Sequence, residues 1–316
     1  MADLKVFRRG ADGRDVELQG STVAREQQEL QRRVEAALEP MLGVRFLASE
    51  YVTGPWHQGR IDTLGLDEDG VPVIIEFKRR RDAGVITQAA SYLVWLLAHR
   101  HEFEALVRRR LGADVAEAVD WRRPRVICVA GEFSRHDRAA ASLYQRDYRV
   151  DLVRYRVFGP DLLTLQLVET VPGFSAAGFA PMPSGAGEAA DDEPDVVAVP
   201  SGSSQVEVPG CLRELYGELD EALTAAGELE VVLLKHYIAY RRLLNVASVI
   251  FRPSVSHRAI LVYLRLNPDS VELEEGFTRD VRGIGHLGTG DLEVRIASSA
   301  DVEKAVPLIR RAVEES

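Results

Sequence analysis

Residues 59–81, GRIDTLGLDEDGVPVIIEFKRRR, contain two strand-like runs, 60–66 and 71–77, joined by a turn. The turn DEDG ends in Asp-Gly, and glycine takes the positive φ that a tight hairpin demands. The unbroken apolar run 71–75 predicts a central strand buried on both faces. Glu76 and Lys78 interrupt it, although an unpaired charge on such a strand costs several kcal/mol, roughly. Residues two apart on a strand share a face, so Glu76 and Lys78 project together while Ile75 and Phe77 enter the opposite apolar layer. Across the turn, the hairpin brings Asp62 beside Glu76 at a sheet end.

Two carboxylates held close in a partly buried site repel unless a cation neutralises them. Oxygen-only ligands with positions left for water and phosphate suit Mg2+ or Mn2+. Lys78 then lies where an ammonium can orient a water nucleophile and offset charge growing on a phosphorus centre. The plain alternative is a pair of surface ion pairs, Asp62 with Arg60 or a nearby arginine and Glu76 with Lys78, and such pairs contribute little. The apolar run before Glu76 favours the site reading.

Working outward, the 316 residues are 46% hydrophobic, enough for two cored domains. No stretch is long enough to span a membrane and the start MADLKVFRRG lacks a secretory signal, so a cytoplasmic protein is expected. Cys128 and Cys211 have no CxxC or histidine companion and read as small buried hydrophobes. Histidines 99, 101, 136, 236 and 257 lack metal-ligand spacing and receive no role. The net charge of −10 is uneven: residues 1–170 hold 26 Lys+Arg and 26 Asp+Glu, leaving 13 and 23 for 171–316. The neutral first half carries basic clusters at 78–81, 108–110 and 121–125 that suit a phosphate-facing surface.

Residues 171–210, rich in Gly, Pro, Ala and Ser with acidic but no basic residues, read as a flexible linker. Domain 1–170 precedes it and an α+β accessory domain, 211–316, follows. In the first, a short hairpin leads to a helix over 25–39 stopped by Pro40. Strands over 44–51, 60–66 and 71–77 come next, then helix from Ile86 with a break near His99. A buried strand RVICVA, a short helix and two further strands complete it, giving an α/β core with a mixed sheet between helices. In the second, helices over LRELYGELDEALTAA and DVEKAVPLIRRAVEE, the latter capped by Ser299 or Asp301, bracket four strand runs, EVVLLKHYIAYRR among them. Glycines 283, 285, 288 and 290 fit no nucleotide-binding pattern and read as a tight strand connection. Arg282, His286 and Lys235 make an anion site conceivable, but the acidic balance of this half favours a protein partner, a homodimer interface or a regulatory contact over DNA.

Asp62 in GRID, Glu76 and Lys78 in IIEFK and the helix segment QAASY together resemble the PD-(D/E)XK nuclease superfamily, in its RecB-like branch the NucS-like mismatch and branched-DNA endonucleases. The resemblance covers residues 25–168 and implies a restriction-endonuclease-like core and cleavage of DNA to 5′-phosphate and 3′-hydroxyl ends. It implies that Asp62 and Glu76 are metal ligands with the Phe77 carbonyl, and that Lys78 is the catalytic lysine. Gln88 and Tyr92 match the Gln-x-x-x-Tyr helix motif, their spacing of four placing both on one face. Glu35 matches the acid of the first core helix, with Glu39 as fallback. Arg60 and Arg79, Arg80 and Arg81 are expected phosphate contacts, and Trp56 and His57 contacts to a base or the backbone. NucS-like enzymes carry a separate N-terminal DNA-binding domain, whereas the nuclease-like stretch begins here near Arg25. The function these residues imply is a Mg/Mn-dependent endodeoxyribonuclease in DNA repair or genome defence. The alternative is a nuclease-derived nucleic-acid-binding or scaffolding protein.

Overall fold

The computed structural model describes residues 5–9, 15–21, 27–54, 59–78, 85–144, 148–159, 161–168, 206–254, 258–284 and 286–316. Strands β1 (Val6–Arg9) and β2 (Asp15–Leu18) form the expected hairpin. Helix α1 (Gln27–Glu35) is followed by a separate α2 (Leu38–Leu42). The expected stop at Pro40 is therefore one element out. The chain breaks at residues 36 and 37, and Pro40 sits in the first turn of α2, where its missing N–H is no loss.

The six-stranded sheet has the order β3 (Val44–Val52), β4 (Arg60–Asp67), β5 (Pro72–Lys78), β6 (Arg125–Ala130), β7 (Arg149–Phe158), β8 (Leu162–Val168). Pairs β3–β4, β4–β5 and β7–β8 are antiparallel, and β5–β6–β7 parallel. Strand β5 is thus central, as its apolar run requires, and the sheet is mixed. Alternate residues feed two cores. Val73, Ile75 and Phe77 with Ile127 and Val129 meet Leu30, Val34, Leu38 and Leu42 of α1 and α2. On the other face Ile74, Val126 and Cys128 meet Tyr92, Leu93, Trp95 and Leu96 of α3 (Val85–Ala98) and Phe103 and Val107 of α4 (Arg100–Leu111). The break between these helices falls at His99, whose ring stacks on Trp95. Helices α5 (Ala113–Glu117) and α6 (Arg135–Tyr144) complete the crossovers that parallel strands need.

Past residue 205, α7 (Arg213–Ala225) and α8 (Ser299–Glu315) pack on one face of an antiparallel sheet. Its order is β13 (Thr278–Asp280), β14 (Leu292–Ile296), β12 (Ala259–Leu264), β11 (Asn245–Arg252), β10 (Ile238–Arg241), β9 (Glu230–Leu233). The run 230–242, expected as a single strand, is a hairpin of β9 and β10, and the short β13 had no sequence signal. The cap of α8 is Ser298, with Asp301 closing the capping box. The glycine-rich segment joins β13 to β14, as expected of a strand connection. Cys128 is buried, but Cys211 is exposed, correcting its reading as a core residue. The linker expected over 171–210 lies outside the described residues up to Gln205. No helix among the described residues is long and apolar enough to cross a membrane.

The two sheets meet at the turn between β4 and β5. Asp69 accepts from Tyr237 Oη (2.7 Å), Asn245 Nδ2 (2.6 Å) and Arg241 Nη1 (2.9 Å). Glu68 accepts from the Asn245 amide (3.0 Å) and pairs with Arg265. In the reverse direction, Arg125 and Arg149 at the starts of β6 and β7 donate to the carbonyls of Leu243 (3.0 Å) and Arg242 (2.8 Å), with Asp151 between them. This clasp occupies the sheet end opposite to Asp62 and Glu76, five residues along β4. At about 3.3 Å per residue the separation is roughly 17 Å.

Candidate active site at the β4–β5 hairpin

The last ladder pair of this hairpin is Thr63 with Ile75, so the register sets Asp62 level with Glu76. At that level the side chains take over from the main chain. The Phe77 amide donates to Asp62 Oδ2 (2.8 Å), and the Asp62 amide to Glu76 Oε1 (3.3 Å). Each carboxylate thereby fastens to the other strand's backbone.

Glu76 is fully buried, and among the described residues its Oε2 has no hydrogen-bond partner. Burial, then the charge of Asp62, pushes its pKa up to about 8. Burial likewise raises Asp62, against the pull of the Phe77 amide, and the charge of Glu50 raises both. Among the described residues neither ion pair of the plain alternative forms. Arg60 pairs with Glu50 Oε2 (2.6 Å), and Lys78 Nζ donates to Gln88 Oε1 (2.7 Å).

Gln88 and Tyr92, one turn apart on α3, carry that contact back to β4. Gln88 Nε2 donates to Tyr92 Oη (3.0 Å), which donates to the Arg60 carbonyl (3.0 Å) and accepts from the Arg60 amide (3.2 Å). The glycine of GRID lets the ring in: a Cβ at Gly59 would stand 2.5 Å from Tyr92 Cε1. The relay fixes Lys78 at the end of β5 on the face shared with Glu76.

Glu35 lies elsewhere in the network. Its Oε1 accepts from Thr63 Oγ1 (2.5 Å) and Gln31 Nε2 (3.1 Å), and Thr63 pairs with Ile75 on the α1 side of the sheet. Gln31, unmarked in the sequence, is buried and donates to the Asp62 carbonyl (2.8 Å) and Ser49 Oγ (3.1 Å), tying α1 to the strand that carries the acid. Its only sequence cue is its place one turn before Glu35. Glu39 is exposed. Trp56, His57, Arg79, Arg80 and Arg81 lie outside the described residues. The basic cluster at 121–125 is not a free phosphate surface. Arg122 pairs with Asp120 and Arg123 with Glu230, while Arg125 is buried in the clasp. Arg282 is likewise spent on Asp269 and Asp280, which removes it from any anion site.

No family model matches the chain. A protein of Haemophilus influenzae (strain ATCC 51907 / DSM 11121 / KW20 / Rd) described as uncharacterized is 24% identical over 292 residues, 92% of this chain and 93% of that one. Among solved structures, that of an EndoMS–dsDNA2 complex is similar with TM-score 0.24 and 23% identity, over 40% of this chain and 44% of that one. A repair endonuclease from Pyrococcus abyssi is similar with TM-score 0.24 and 20% identity, over 42% and 49%. The chain spans less than half the length of either solved protein.

The donor set at the hairpin end is all oxygen, and the orphaned, buried Glu76 Oε2 is the kind of atom a hard divalent cation satisfies. Among the described residues no group of three or more His, Cys, Asp and Glu side chains is placed to hold a metal.

Proposed function

We propose that the chain is a Mg2+- or Mn2+-dependent endonuclease that hydrolyses phosphodiester bonds in DNA, on branched, mismatched or single-strand-containing substrates in repair or defence. The observation that carries this reading is Glu76: a fully buried carboxylate on a central strand, level with Asp62, with one oxygen unpartnered. A purely structural acid in that position would have its lone pairs filled.

In this reading Asp62, Glu76 and the Phe77 carbonyl hold the cation, which when bound supplies Lewis acidity and an activated water. Burial raises Glu76 because its charge lacks solvent, and a cation removes that penalty. Lys78, oriented by Gln88 and Tyr92, holds its ammonium where the scissile phosphate gains charge and the nucleophile needs orientation. Arg60, Arg79, Arg80 and Arg81, with Trp56 and His57, are the proposed contacts to backbone and base. The clasp with the C-terminal sheet lies at the other end of the strands from these carboxylates.

The test is a cleavage assay with nicked, flapped, mismatched and single-stranded DNA under Mg2+ and Mn2+ titration. The parent protein is expected to cut at least one substrate with metal and none with chelator. Lys78→Ala should keep its fold and Mn2+ binding and lose cutting. A parent that cuts none of these DNAs with either ion, or a Lys78→Ala variant as fast as the parent, overturns the assignment.

A further inference from the structure

Strand β3 pairs Ser49 with Thr63 and Tyr51 with Ile61, so Glu50 stands level with Asp62, which the neighbouring ladder sets level with Glu76. Three acids therefore stand at one level on three adjacent strands, whose backbones run roughly 4.8 Å apart. Two of them meet at the hairpin end; the third is held aside. Glu50 Oε2 is paired with Arg60 Nε at 2.6 Å, and Glu50 is the sole non-glycine residue with positive φ (52°) among the described residues. A left-handed residue inside a strand breaks the ladder at the level of the carboxylates, and strain of that kind collects at functional sites. The charge of Glu50 already reaches both acids, raising each.

We propose that Glu50 is the third acid of the metal site, turned away by Arg60 in the free protein and joining Asp62 and Glu76 when a divalent cation is present. This rests on the reading of Asp62 and Glu76 as metal ligands, and it gives the role expected of Glu35 to another residue. Glu35 is engaged by Thr63 and Gln31 on the α1 side, whereas the Glu50 pair is easily exchanged. With Arg60 64% and Glu50 35% exposed, solvent screens the pair and leaves it weak. Release of Glu50 also frees the Arg60 guanidinium at the mouth of the site, where a backbone phosphate can take the place of the carboxylate. The unpartnered, buried Glu76 Oε2 is an independent observation that points to a ligand at this level of the sheet.

Mn2+ affinity of the full chain, read without DNA by calorimetry or by loss of the free-ion paramagnetic resonance signal, tests this. Glu50→Gln should weaken Mn2+ by about ten-fold or more, the scale of losing a metal-site partner, and Glu35→Gln by less than about two-fold. Arg60→Ala should tighten binding in the parent and have no effect beside Glu50→Gln. If Glu50→Gln binds like the parent while Asp62→Asn has lost the ion, this inference fails and the two-acid site stands. If Asp62→Asn also binds like the parent, both fail. Far-ultraviolet circular dichroism and the melting temperature of each variant separate lost binding from lost fold.

Discussion

Glu76 shows what a buried carboxyl on a central strand costs. A carboxyl whose pKa climbs from an ordinary 4.5 to about 8 keeps its proton in the folded state after the unfolded chain has released it. The stabilisation from this group is therefore full below pH 4.5 and lost as pH rises towards 8, on the order of 5 kcal/mol in total. Glu76→Gln in metal-free protein should consequently melt higher than the parent at pH 8 and nearly equally at pH 4.5. A melting-temperature series over that range checks the sign; a variant less stable than the parent at pH 8 would mean the acid is charged and compensated. Mg2+ should narrow the difference at pH 8 by stabilising the parent alone. Gly59 is the second residue whose chemistry is set by a neighbour. Gly59→Ala pushes a Cβ into the Tyr92 ring, whose hydroxyl is held by Arg60, and should cost about 1–3 kcal/mol in chemical denaturation.

At the scale of the element, the β4–β5 hairpin is gripped at both ends. One end carries Asp62 and Glu76; the other inserts Glu68 and Asp69 among Tyr237, Arg241, Asn245 and Arg265. Asp67, buried in the same turn, accepts from the amides of Asp69 and Val71, and burial followed by the charge of Asp69 raises it to about 6. Among the described residues, Asp69→Ala leaves buried Arg241 paired with only the partly exposed Glu230, and three donors lose an acceptor. The expected cost is about 3–5 kcal/mol in urea unfolding, as for a broken buried ion pair. A loss under about 1 kcal/mol would show that the turn is solvated and the grip loose. The hairpin and its Asp-Gly turn were legible because they depend on local φ preference and alternation. The grip was not: arginines 241 and 265 lie far along the chain and have no local feature marking them as partners of residues 68 and 69.

For the whole molecule, the clasp changes what the acidic second half means. Four of the arginines that might have formed outward basic surfaces, Arg125, Arg149, Arg241 and Arg265, close the junction between the sheets. A protease site inserted between residues 185 and 190 and then cut should leave the two pieces co-eluting in gel filtration at moderate salt. Elution as separate pieces would show that the junction holds only while the chain is continuous. A parallel cut in Asp69→Ala is expected to separate more readily, which ties the association to this turn.

By itself the sequence determined the strands of the first sheet and the level of the acids. Apolar runs, the Asp-Gly turn and the spacing from Asp62 to Glu76 and Lys78 depend on periodicity and register, both local. Tertiary structure alone decided that Gln31 rather than an acid reaches Asp62 from α1, that Glu50 shares the level of the pair, and that the second sheet clasps the hairpin turn. Those outcomes depend on which distant strands become neighbours and on a left-handed residue in β3. Local patterning specifies neither, because long-range packing energy selects them.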